Sequence, residues 1–341
     1  MNIHMNLGKD SYDIVVERGL LKRASEEINL QRKVFIVTDS GVPKEYAKEI
    51  LNQCRDGHIF TIAQGEESKN LKTFETLLRE MLSYGFSRSD CVVAVGGGVV
   101  GDLSGFVASA YMRGIEFYNI PTTVLSQIDS SIGGKVAVDL DGYKNIIGAF
   151  YQPSKVLIDP DVLKTLPPRQ ISNGLSEAVK MAITCDEELF EIFEKNEPMD
   201  SIDEIIIKSL NIKKSVVEQD EKEMGLRKIL NFGHTIGHAI EKETGFSSFY
   251  HGECVALGMI PMCSDSLKAR LIPVLEKLSL PTKADINIDS VSKAISHDKK
   301  VKDGKVSAVF SDRLGSFEIK SIECDSLKDR IALIAKGGNS R

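Results

Sequence analysis

The sequence predicts an α/β domain of the Rossmann-like type, followed by a mainly α-helical domain. Short apolar runs alternate with amphipathic helical stretches through the first half of the chain. A glycine-rich segment at 96–102 directly follows one of these runs. From Leu163 onward the pattern becomes mostly helical. We therefore expect an α/β domain over residues 1–159 and a helical domain over residues 160–341.

Strands and helices alternate in the predicted α/β domain. A β-branched run predicts a strand at 33–38 that ends at Asp39, and apolar residues at helical spacing predict a helix over 44–53. A second helix is predicted over 71–84 and is closed by Gly85. Further strands are predicted at 58–62, 91–95 and 117–120. This βαβα order indicates a parallel sheet with helices on both faces.

The predicted second domain consists mostly of helices. Apolar residues at helical spacing predict them over 170–184, 202–220, 228–244, 252–270 and 290–297. Two β-like segments, at 306–310 and 316–320, precede a last helix that begins near Ser326.

Charge, apolar runs and cysteine usage disfavour a nucleic-acid-binding, secreted or membrane-spanning protein. The 341 residues include 43 basic and 49 acidic side chains, a net charge of −6 that does not favour a nucleic-acid partner. Residues 1–13 lack the basic and apolar regions of a signal peptide, and no run approaches the roughly 20 apolar residues of a membrane span. The six cysteines form no C-x-x-C pair and fit reduced thiols. We expect a cytoplasmic protein.

The glycine-rich segment fits a phosphate-binding turn. Gly96, Gly98 and Gly101 match G-x-G-x-x-G between a predicted strand and a predicted helix. Such glycines let the backbone approach a pyrophosphate closely at a helix N-terminus, although a tight structural turn would produce the same pattern. An acidic residue about 20 positions later does not end an obvious strand. Asp39 is the better candidate for a ribose contact, although it precedes the glycines.

A cluster of histidines in the helical part indicates a metal site. His234 and His238 are four residues apart on one helical face, and His251 begins the next segment. Upstream, Glu177 and Lys180 share a helical face at i,i+3. One carboxylate and two imidazoles would leave a fourth position on zinc open, which is typical of a catalytic site. The spacing leaves open which two histidines would bind the metal.

The same histidine segment has a purely structural interpretation. Gly233 and Gly237 could let two helices pack closely, with the histidines satisfied in a core. Three histidines and a Glu-x-x-Lys pattern in one helical domain favour a metal site over this structural interpretation.

Basic residues beside glycines indicate a site for an anion. Arg113 precedes Gly114, and Lys135 follows two glycines, so that backbone and side-chain donors occur together. Lys213, taken alone, would be typical of a solvated face. The sequence thus combines a dinucleotide site, a Lewis-acid metal and basic residues suited to an anionic substrate.

These motifs together resemble one family, the 3-dehydroquinate synthases of the shikimate pathway, which serves aromatic amino acid biosynthesis. The matching segments lie at 96–114, 121–140, 143–153, 174–180, 220–241 and 251–259. The resemblance implies the fold of that family: an N-terminal NAD-binding α/β domain, a C-terminal helical domain that binds metal and substrate, and an active site in the cleft between them.

The resemblance also implies roles for individual residues. The metal ligands would be Glu177, His234 and His251. The NAD⁺ contacts would be Asp39, Gly65, Glu66, Glu67, Ser68, Lys69, Gly97, Gly98, Val99, Val100, Gly101, Asp102, Thr122, Thr123, Lys135, Lys144, Val162, Leu163, Lys164 and Thr165. The catalytic and substrate-binding residues would be Arg113, Asp129, Lys135, Asn145, Lys180, Lys213, Arg227, Asn231 and His238, with one of Lys299 and Lys300. Arg113 would reach the site of a neighbouring subunit, which implies a homodimer.

The implied reaction converts 3-deoxy-D-arabino-heptulosonate 7-phosphate into 3-dehydroquinate and phosphate. It would proceed by transient oxidation at C5 by NAD⁺, loss of phosphate, reduction, ring opening and intramolecular aldol closure. The implied metal is Zn²⁺, with Co²⁺ as the alternative. NAD⁺ would be regenerated in each turnover, so the enzyme would be a carbon–oxygen lyase.

Three other functions fit parts of the sequence. A metal-dependent NAD polyol dehydrogenase would use the same cofactors, but basic residues at 113, 135, 213 and 227 favour an anionic substrate. A sugar phosphate cyclase whose substrate lacks a carboxylate is disfavoured by Lys213 and Arg227. A non-catalytic NAD-binding regulator would tolerate loss of the metal-ligand candidates, all of which are present.

Overall fold

The computed structural model describes residues 1–245, 248–297 and 301–336. The chain divides into two compact units, at 1–167 and 168–341. The predicted domain boundary lies slightly earlier, at 159/160. The short 3₁₀ helix Pro160–Thr165 still belongs to the first unit, because Val162 packs in one of its apolar clusters.

The first unit is built on a sheet of seven strands. These are β1 (Asn2–Met5), β2 (Tyr12–Val16), β3 (Lys33–Asp39), β4 (Asp56–Ile62), β5 (Cys91–Gly96), β6 (Glu116–Pro121) and β9 (Lys155–Ile158). Their order across the sheet is β1-β2-β9-β6-β5-β3-β4. All neighbouring pairs are parallel except β1 and β2. The predicted strands at 33–38, 58–62, 91–95 and 117–120 are confirmed as β3 to β6.

Helices cover both faces of this sheet, as predicted. They are α1 (Ala24–Glu27), α2 (Lys44–Leu51), α3 (Leu71–Ser83) and α4 (Gly98–Ala110). Side chains alternate along β3 because successive residues of a strand point to opposite faces. Val34 and Ile36 pack in one apolar cluster with α2, while Phe35 and Val37 pack in the other with α3 and α4.

An antiparallel hairpin completes the first unit and was not predicted from the sequence. Its strands are β7 (Lys135–Leu140) and β8 (Tyr143–Phe150). The hairpin lies so close to α4 that a Cβ at Gly105 would be 2.4 Å from Cγ1 of Val136. Between β6 and β7, the chain forms one π-helical turn at Ser126–Ser130.

The second unit is mainly helical. Its helices are α5 (Pro168–Cys185), α6 (Glu187–Lys195), α7 (Ile202–Gln219), α8 (His234–Glu243), α9 (His251–Met259), α10 (Asp265–Lys277), α11 (Ile288–Ser296) and α12 (Lys328–Ala332). Strands β10 (Lys305–Phe310) and β11 (Glu318–Glu323) form an antiparallel hairpin. Among the described residues, no helix is both long enough and apolar enough to cross a membrane.

Two predicted helices of this unit were wrong in length. The helix predicted over 228–244 is interrupted at Gly233, whose φ of +77° is a left-handed conformation that favours glycine. The helix predicted over 252–270 ends at Met259, and a 3₁₀ turn that contains Pro261 separates it from α10. Gly233 thus makes His234 the first residue of α8.

Candidate active site

The segments predicted to bind NAD⁺ follow the carboxyl ends of parallel strands in the first unit. Asp39 is the last residue of β3, the loop 65–69 follows β4, and the segment 97–102 follows β5. Residues 122–123 follow β6, and residues 162–165 come shortly after β9. Because the carboxyl ends of parallel strands meet at one edge of a sheet, these segments share that edge, where α/β folds bind ligands.

The strand order explains why the acidic residue precedes the glycines in the sequence. Strands β3 and β5 are neighbours in the sheet, so Asp39 and Gly97 follow adjacent strand ends. The chain passes from β3 to β4 on one side and from β5 to β6 on the other, so the strand order reverses between them. Ligands of open α/β sheets bind at such a reversal. The Asp39 carboxylate accepts the amide of Gly41 at 2.7 Å, which holds it at this edge.

The glycine-rich segment forms the start of a helix packed tightly on the sheet. Gly97 is the N-cap of α4. A Cβ at Gly97 would lie 3.2 Å from Cγ2 of Thr123, and one at Gly101 would lie 3.1 Å from Nδ2 of Asn119. These glycines therefore do allow α4 to pack closely on the neighbouring chain, as the alternative of a tight structural turn predicts. The same packing places the first amides of α4, with the positive end of the helix dipole, at the ligand-binding edge of the sheet.

Lys69 brings together residues that were predicted to have separate roles. Its buried ammonium lies 2.6 Å from Oδ2 of Asp102 and 2.6 Å from Oδ1 of Asn145, with Oε1 of Glu66 at 3.6 Å. Burial alone lowers the pKa of Lys69, but the charges of Asp102 and Glu66 outweigh burial and raise it above its usual value. The loop after β4, the start of α4 and the β7–β8 hairpin thus meet at one cation.

The other site residues predicted in the first unit lie on several different elements. Lys135 is the first residue of β7, Lys144 lies in β8, and Asp129 is part of the π-helical turn. Arg113 follows the last turn of α4, whose 13 residues span about 20 Å. The structure therefore does not bring Arg113 to the edge where the glycine-rich segment lies. Its φ of +69° is left-handed, as is that of Met112.

Helices α5, α8 and α9 of the second unit carry the candidate metal ligands. Glu177 lies in the middle of α5 and is 1% exposed. His234 and His251 are the first residues of α8 and α9. His238 lies one turn further along α8. One ring nitrogen from each of the three histidines lies within 4.8 Å of the others.

Main-chain contacts set the spacing of these helices. A Cβ at Gly258 in α9 would lie 2.0 Å from the carbonyl oxygen of Gly233, and one at Gly237 would lie 2.9 Å from that of Cys254. At the other side of α9, the amide of Gly252 donates to Oδ1 of Asn173 in α5 at 2.6 Å. The close helix packing that Gly233 and Gly237 suggested is present, and it holds the histidines beside Glu177.

The donor atoms have the spacing of ligands around one ion. Oε1 of Glu177 lies 3.5 Å from Nε2 of His234 and 3.3 Å from Nε2 of His251. Two ligands bound at 2.0–2.2 Å to a tetrahedral zinc ion lie about 3.3–3.5 Å apart. The arrangement of Glu177, His234 and His251 therefore fits a zinc-sized cation without rearrangement of these pairs.

Lys180 is the buried counter-ion of Glu177. Its Nζ lies 2.5 Å from Oε2 of Glu177 and donates to the carbonyl oxygen of Leu230 at 2.8 Å. Burial alone would raise the pKa of Glu177. The charge of Lys180 and the contact with the His251 ring outweigh burial, so they hold the pKa of this carboxyl well below its usual range. Glu177 is therefore ionised, with one oxygen directed to Lys180 and the other to the histidines.

The pKa values of His234 and His251 shift in opposite directions. Burial lowers the pKa of His234, and the charges of Lys180 and His238 lower it further, so this imidazole is neutral at pH 7. Burial also opposes protonation of His251, but hydrogen bonds with Glu177 and Glu241 raise its pKa to about 10. Without a metal, Lys180 and a protonated His251 thus balance the two carboxylates; a metal bound to Nε2 of His251 would take the place of that proton.

The other residues predicted for the substrate lie in the second unit around α7 and the start of α8. Lys213 and Arg227 are both buried, which is unusual for basic side chains and places them away from the solvated face that Lys213 alone would suggest. Asn231 donates from Nδ2 to Oε1 of Glu223 at 2.6 Å. Lys299 and Lys300 lie outside the described residues.

Glu241 belongs to this cluster and was missed by the sequence analysis. Its Oε2 lies 3.4 Å from Nδ1 of His251, opposite the ring nitrogen that faces Glu177. Carboxylates in this position fix the tautomer and orientation of a metal-binding histidine. The available signal was its place on α8, three residues after His238 and seven after His234, which puts it on the same helical face.

The chain matches known proteins over nearly its whole length. The family model described as "3-dehydroquinate synthase N-terminal" matches residues 59–173, and "3-dehydroquinate synthase C-terminal" matches residues 174–301. A 3-dehydroquinate synthase of Clostridium botulinum (strain Alaska E43 / Type E3) is 40% identical over an alignment of 345 positions. The alignment covers 95% of this chain and 99% of that protein.

Solved structures of sugar phosphate cyclases share the fold. A 2-deoxy-scyllo-inosose synthase, complexed with carbaglucose-6-phosphate, NAD⁺ and Co²⁺, has a TM-score of 0.89 at 25% identity and covers 97% of this chain and 99% of its own. A 2-epi-5-epi-valiolone synthase from Streptomyces hygroscopicus subsp. jinggangensis 5008, with NAD⁺ and Zn²⁺ bound, has a TM-score of 0.86 at 26% identity and covers 95% and 96%. The predicted fold class is confirmed, and the chain belongs to the 3-dehydroquinate synthase family.

Proposed function

We propose that this chain is a 3-dehydroquinate synthase that converts 3-deoxy-D-arabino-heptulosonate 7-phosphate into 3-dehydroquinate and phosphate. Family membership supports the overall reaction. The observation that carries the proposal is the buried Glu177 carboxylate, which lies 3.3–3.5 Å from two imidazole nitrogens beside the buried cation Lys180. The first unit, residues 1–167, would bind NAD⁺, and the second unit, residues 168–341, would bind the metal and contribute to substrate binding.

The proposed metal ligands are Glu177, His234 and His251. The sequence spacing left the choice of histidines open, and the separations of 3.5 and 3.3 Å between Oε1 of Glu177 and Nε2 of His234 and His251 support this pair. Zn²⁺ or Co²⁺, bound here, would supply a Lewis acid that lowers the pKa of a substrate hydroxyl. Lys180 neutralises part of the negative charge of Glu177. His238, whose ring lies beside those of His234 and His251, would contact the substrate rather than the metal.

The proposed NAD⁺ site is the edge of the sheet where β3 and β5 end. NAD⁺ bound there would supply the hydride acceptor of a transient oxidation and would return the hydride later in the turnover. The amides at the start of α4 would hold the pyrophosphate, and Asp39 would accept hydrogen bonds from a ribose. The loop 65–69 and residues 122–123 would line the same edge.

Two separate groups of residues would bind the two anionic ends of the substrate, the phosphate and the carboxylate. Lys135 and Asn145 would hold the phosphate, together with Arg113 of a second copy in a homodimer. Buried Lys213 and Arg227 would hold the carboxylate. Buried cations bind a carboxylate strongly because little water competes for them. Asp129, Asn231 and His238 would position substrate hydroxyls. A cytoplasmic location is part of the same proposal.

The test follows two products at once. Purified protein is incubated with heptulosonate 7-phosphate, NAD⁺ and Zn²⁺, and both inorganic phosphate and NADH absorbance are recorded. We expect phosphate release over many turnovers without accumulation of NADH, because the hydride is returned. Accumulation of NADH without phosphate would indicate a polyol dehydrogenase. Absence of both signals would indicate a cyclase with another substrate.

Replacement of Lys135 by alanine is expected to weaken substrate binding through the phosphate. Loss of one charge-assisted contact costs about 1.5–3 kcal/mol, or roughly 10- to 150-fold in affinity. The measurement is the KM for heptulosonate 7-phosphate together with the inhibition constant of inorganic phosphate. Lys22→Ala removes an exposed lysine from the same unit and serves as the control. Unchanged constants in Lys135→Ala would contradict the phosphate role.

Replacement of Glu241 by alanine is expected to lower metal affinity. Outer partners of metal-binding histidines are worth roughly 10- to 100-fold in affinity because they orient the ring. Glu241→Gln keeps an acceptor oxygen for Nδ1 of His251 and should lose less. Zn²⁺ affinity is measured by competition with a chromophoric chelator, with Glu243→Ala on the same helix as the control. Equal affinities of Glu241→Ala and the control would refute this positioning role.

A further inference from the structure

Asp139 connects the loop after β4 to the residue predicted to hold phosphate. Its main-chain amide donates to the carbonyl oxygen of Lys69 at 2.8 Å. Its Oδ1 accepts the main-chain amide of Asn145 at 2.8 Å. Because the Lys69 ammonium also contacts Asn145, these residues close a ring of hydrogen bonds at the tip of the β7–β8 hairpin.

The Asp139 carboxylate supports an uncommon backbone conformation. Asn145 has a φ of +53°, in the left-handed region that side-chain-bearing residues adopt rarely and asparagine adopts more readily than most. A hydrogen bond from its amide to a carboxylate is charge-assisted and therefore favours this conformation. Asp139 thus determines how the backbone of Asn145 is directed.

Lys69 determines the orientation of the Asn145 side chain. An ammonium group has donors only, so the amide oxygen of Asn145 must face Lys69. The group that Asn145 can present to a ligand is then its NH₂, a donor of two hydrogen bonds. Donors of this kind match the oxygens of an anion such as phosphate.

We propose that Asp139, acting with Lys69, is a positioning residue that holds Asn145 with its amide NH₂ directed to the substrate phosphate. The inference rests on the proposed function. It assigns a role to Asp139, and it gives Lys69 a second role beyond a contact with the cofactor. Since Lys69 also pairs with Asp102 at the start of α4, one ammonium serves both the cofactor side and the phosphate side of the first unit.

The test compares two substitutions of Asp139. Asp139→Asn keeps an oxygen that accepts the Asn145 amide, whereas Asp139→Ala removes it. For Asp139→Ala we expect about tenfold increases in KM for heptulosonate 7-phosphate and in the inhibition constant of inorganic phosphate. The kcat and the Kd of NAD⁺ should change less than about twofold, and Asp139→Asn, which keeps an acceptor but loses the charge, should lie between the wild type and Asp139→Ala in KM and in the inhibition constant.

A double-mutant cycle separates positioning from general damage. If Asp139 acts through Asn145, Asp139→Ala should have no further effect in an Asn145→Ala background. A tenfold effect that persists in that background would overturn the proposal, as would equal losses in Asp139→Asn and Asp139→Ala or unchanged phosphate binding in Asp139→Ala.

A measurement that needs no turnover distinguishes this inference from the proposed function. Hydrogen exchange of the Asn145 amide should be faster in Asp139→Ala than in the wild type and in Asp139→Asn. If the wild type released no phosphate from heptulosonate 7-phosphate, the proposed function would fail. Exchange at Asn145, together with calorimetric binding of inorganic phosphate, would still decide the role of Asp139. Equal exchange in the three proteins would overturn it.

Discussion

Replacing His234 by alanine is expected to remove the bound metal and to abolish synthase turnover. The imidazole of His234 is neutral and lies 3.5 Å from Oε1 of Glu177, so its loss removes one of three proposed ligands. Structural zinc sites are worth about 10–16 kcal/mol, and an even share among four ligands is roughly 2.5–4 kcal/mol, or about 10²- to 10³-fold in affinity. Metal content is measured by atomic absorption after gel filtration.

His238→Ala is the matched control, because it removes an imidazole one turn further along α8. That variant should retain the metal and lose activity, since His238 is proposed to contact substrate. In His234→Ala, NAD⁺ binding should be preserved because the proposed NAD⁺ contacts lie in the other unit. Full metal stoichiometry in His234→Ala, or metal loss in His238→Ala, would mean that the ligand assignment is wrong.

Replacing Gly258 by alanine is expected to destabilise the second unit and to weaken metal binding together. The added Cβ would lie 2.0 Å from the carbonyl oxygen of Gly233, so α8 and α9 must move apart. Overpacking of this kind costs about 1–3 kcal/mol, and a backbone obstacle places the effect at the upper end. Urea unfolding, followed by circular dichroism of the metal-free protein, measures the free energy, and Zn²⁺ competition measures the affinity.

Two further glycines calibrate this effect. Gly237→Ala places a Cβ 2.9 Å from the Cys254 carbonyl oxygen and should cost less than Gly258→Ala. At Gly225 the nearest atom would be 3.9 Å away, so Gly225→Ala should be close to neutral for packing. Equal stabilities of Gly258→Ala and Gly225→Ala would show that helix spacing does not depend on this contact.

Local patterns were sufficient to predict the central strands of the first unit. Strands β3, β5 and β6 are buried, largely apolar runs and β4 is a half-buried one; all are bounded by glycine, proline or aspartate, and these signals are local. The hairpin β7–β8 was missed because much of it is exposed and it lacks a continuous apolar run, although Asp141-Gly142, with φ values of +50° and +78°, is the local signal of a two-residue hairpin turn. The helix ends at Gly233 and Pro261 were missed because apolar spacing continues across both positions. Both residues are types that interrupt helices and were visible in the sequence, but the predicted bounds followed the apolar spacing instead.

For the candidate site, too, the sequence showed the residue types but not how the fold brings them together. The residue types were visible in the sequence, but the place of Asp39 beside the glycines depends on β3 and β5 being neighbours, which is a property of the sheet. The sequence also left open which two of the three histidines would bind the metal with Glu177, and only the folded chain shows that His234 and His251 lie at ligand spacing from its carboxylate. Glu241 and Asp139 act through other residues, so no motif identifies them.

The contact between Gly258 and the Gly233 carbonyl has a consequence for how this protein can change over evolutionary time. Main-chain atoms are the same whatever side chains surround them. Substitutions in the apolar layers around α8 and α9 can therefore accumulate without moving His234 relative to His251. Divergence in the second unit should be concentrated in those layers and on the outer helix faces. The two glycines and the ligands would be inherited as one block.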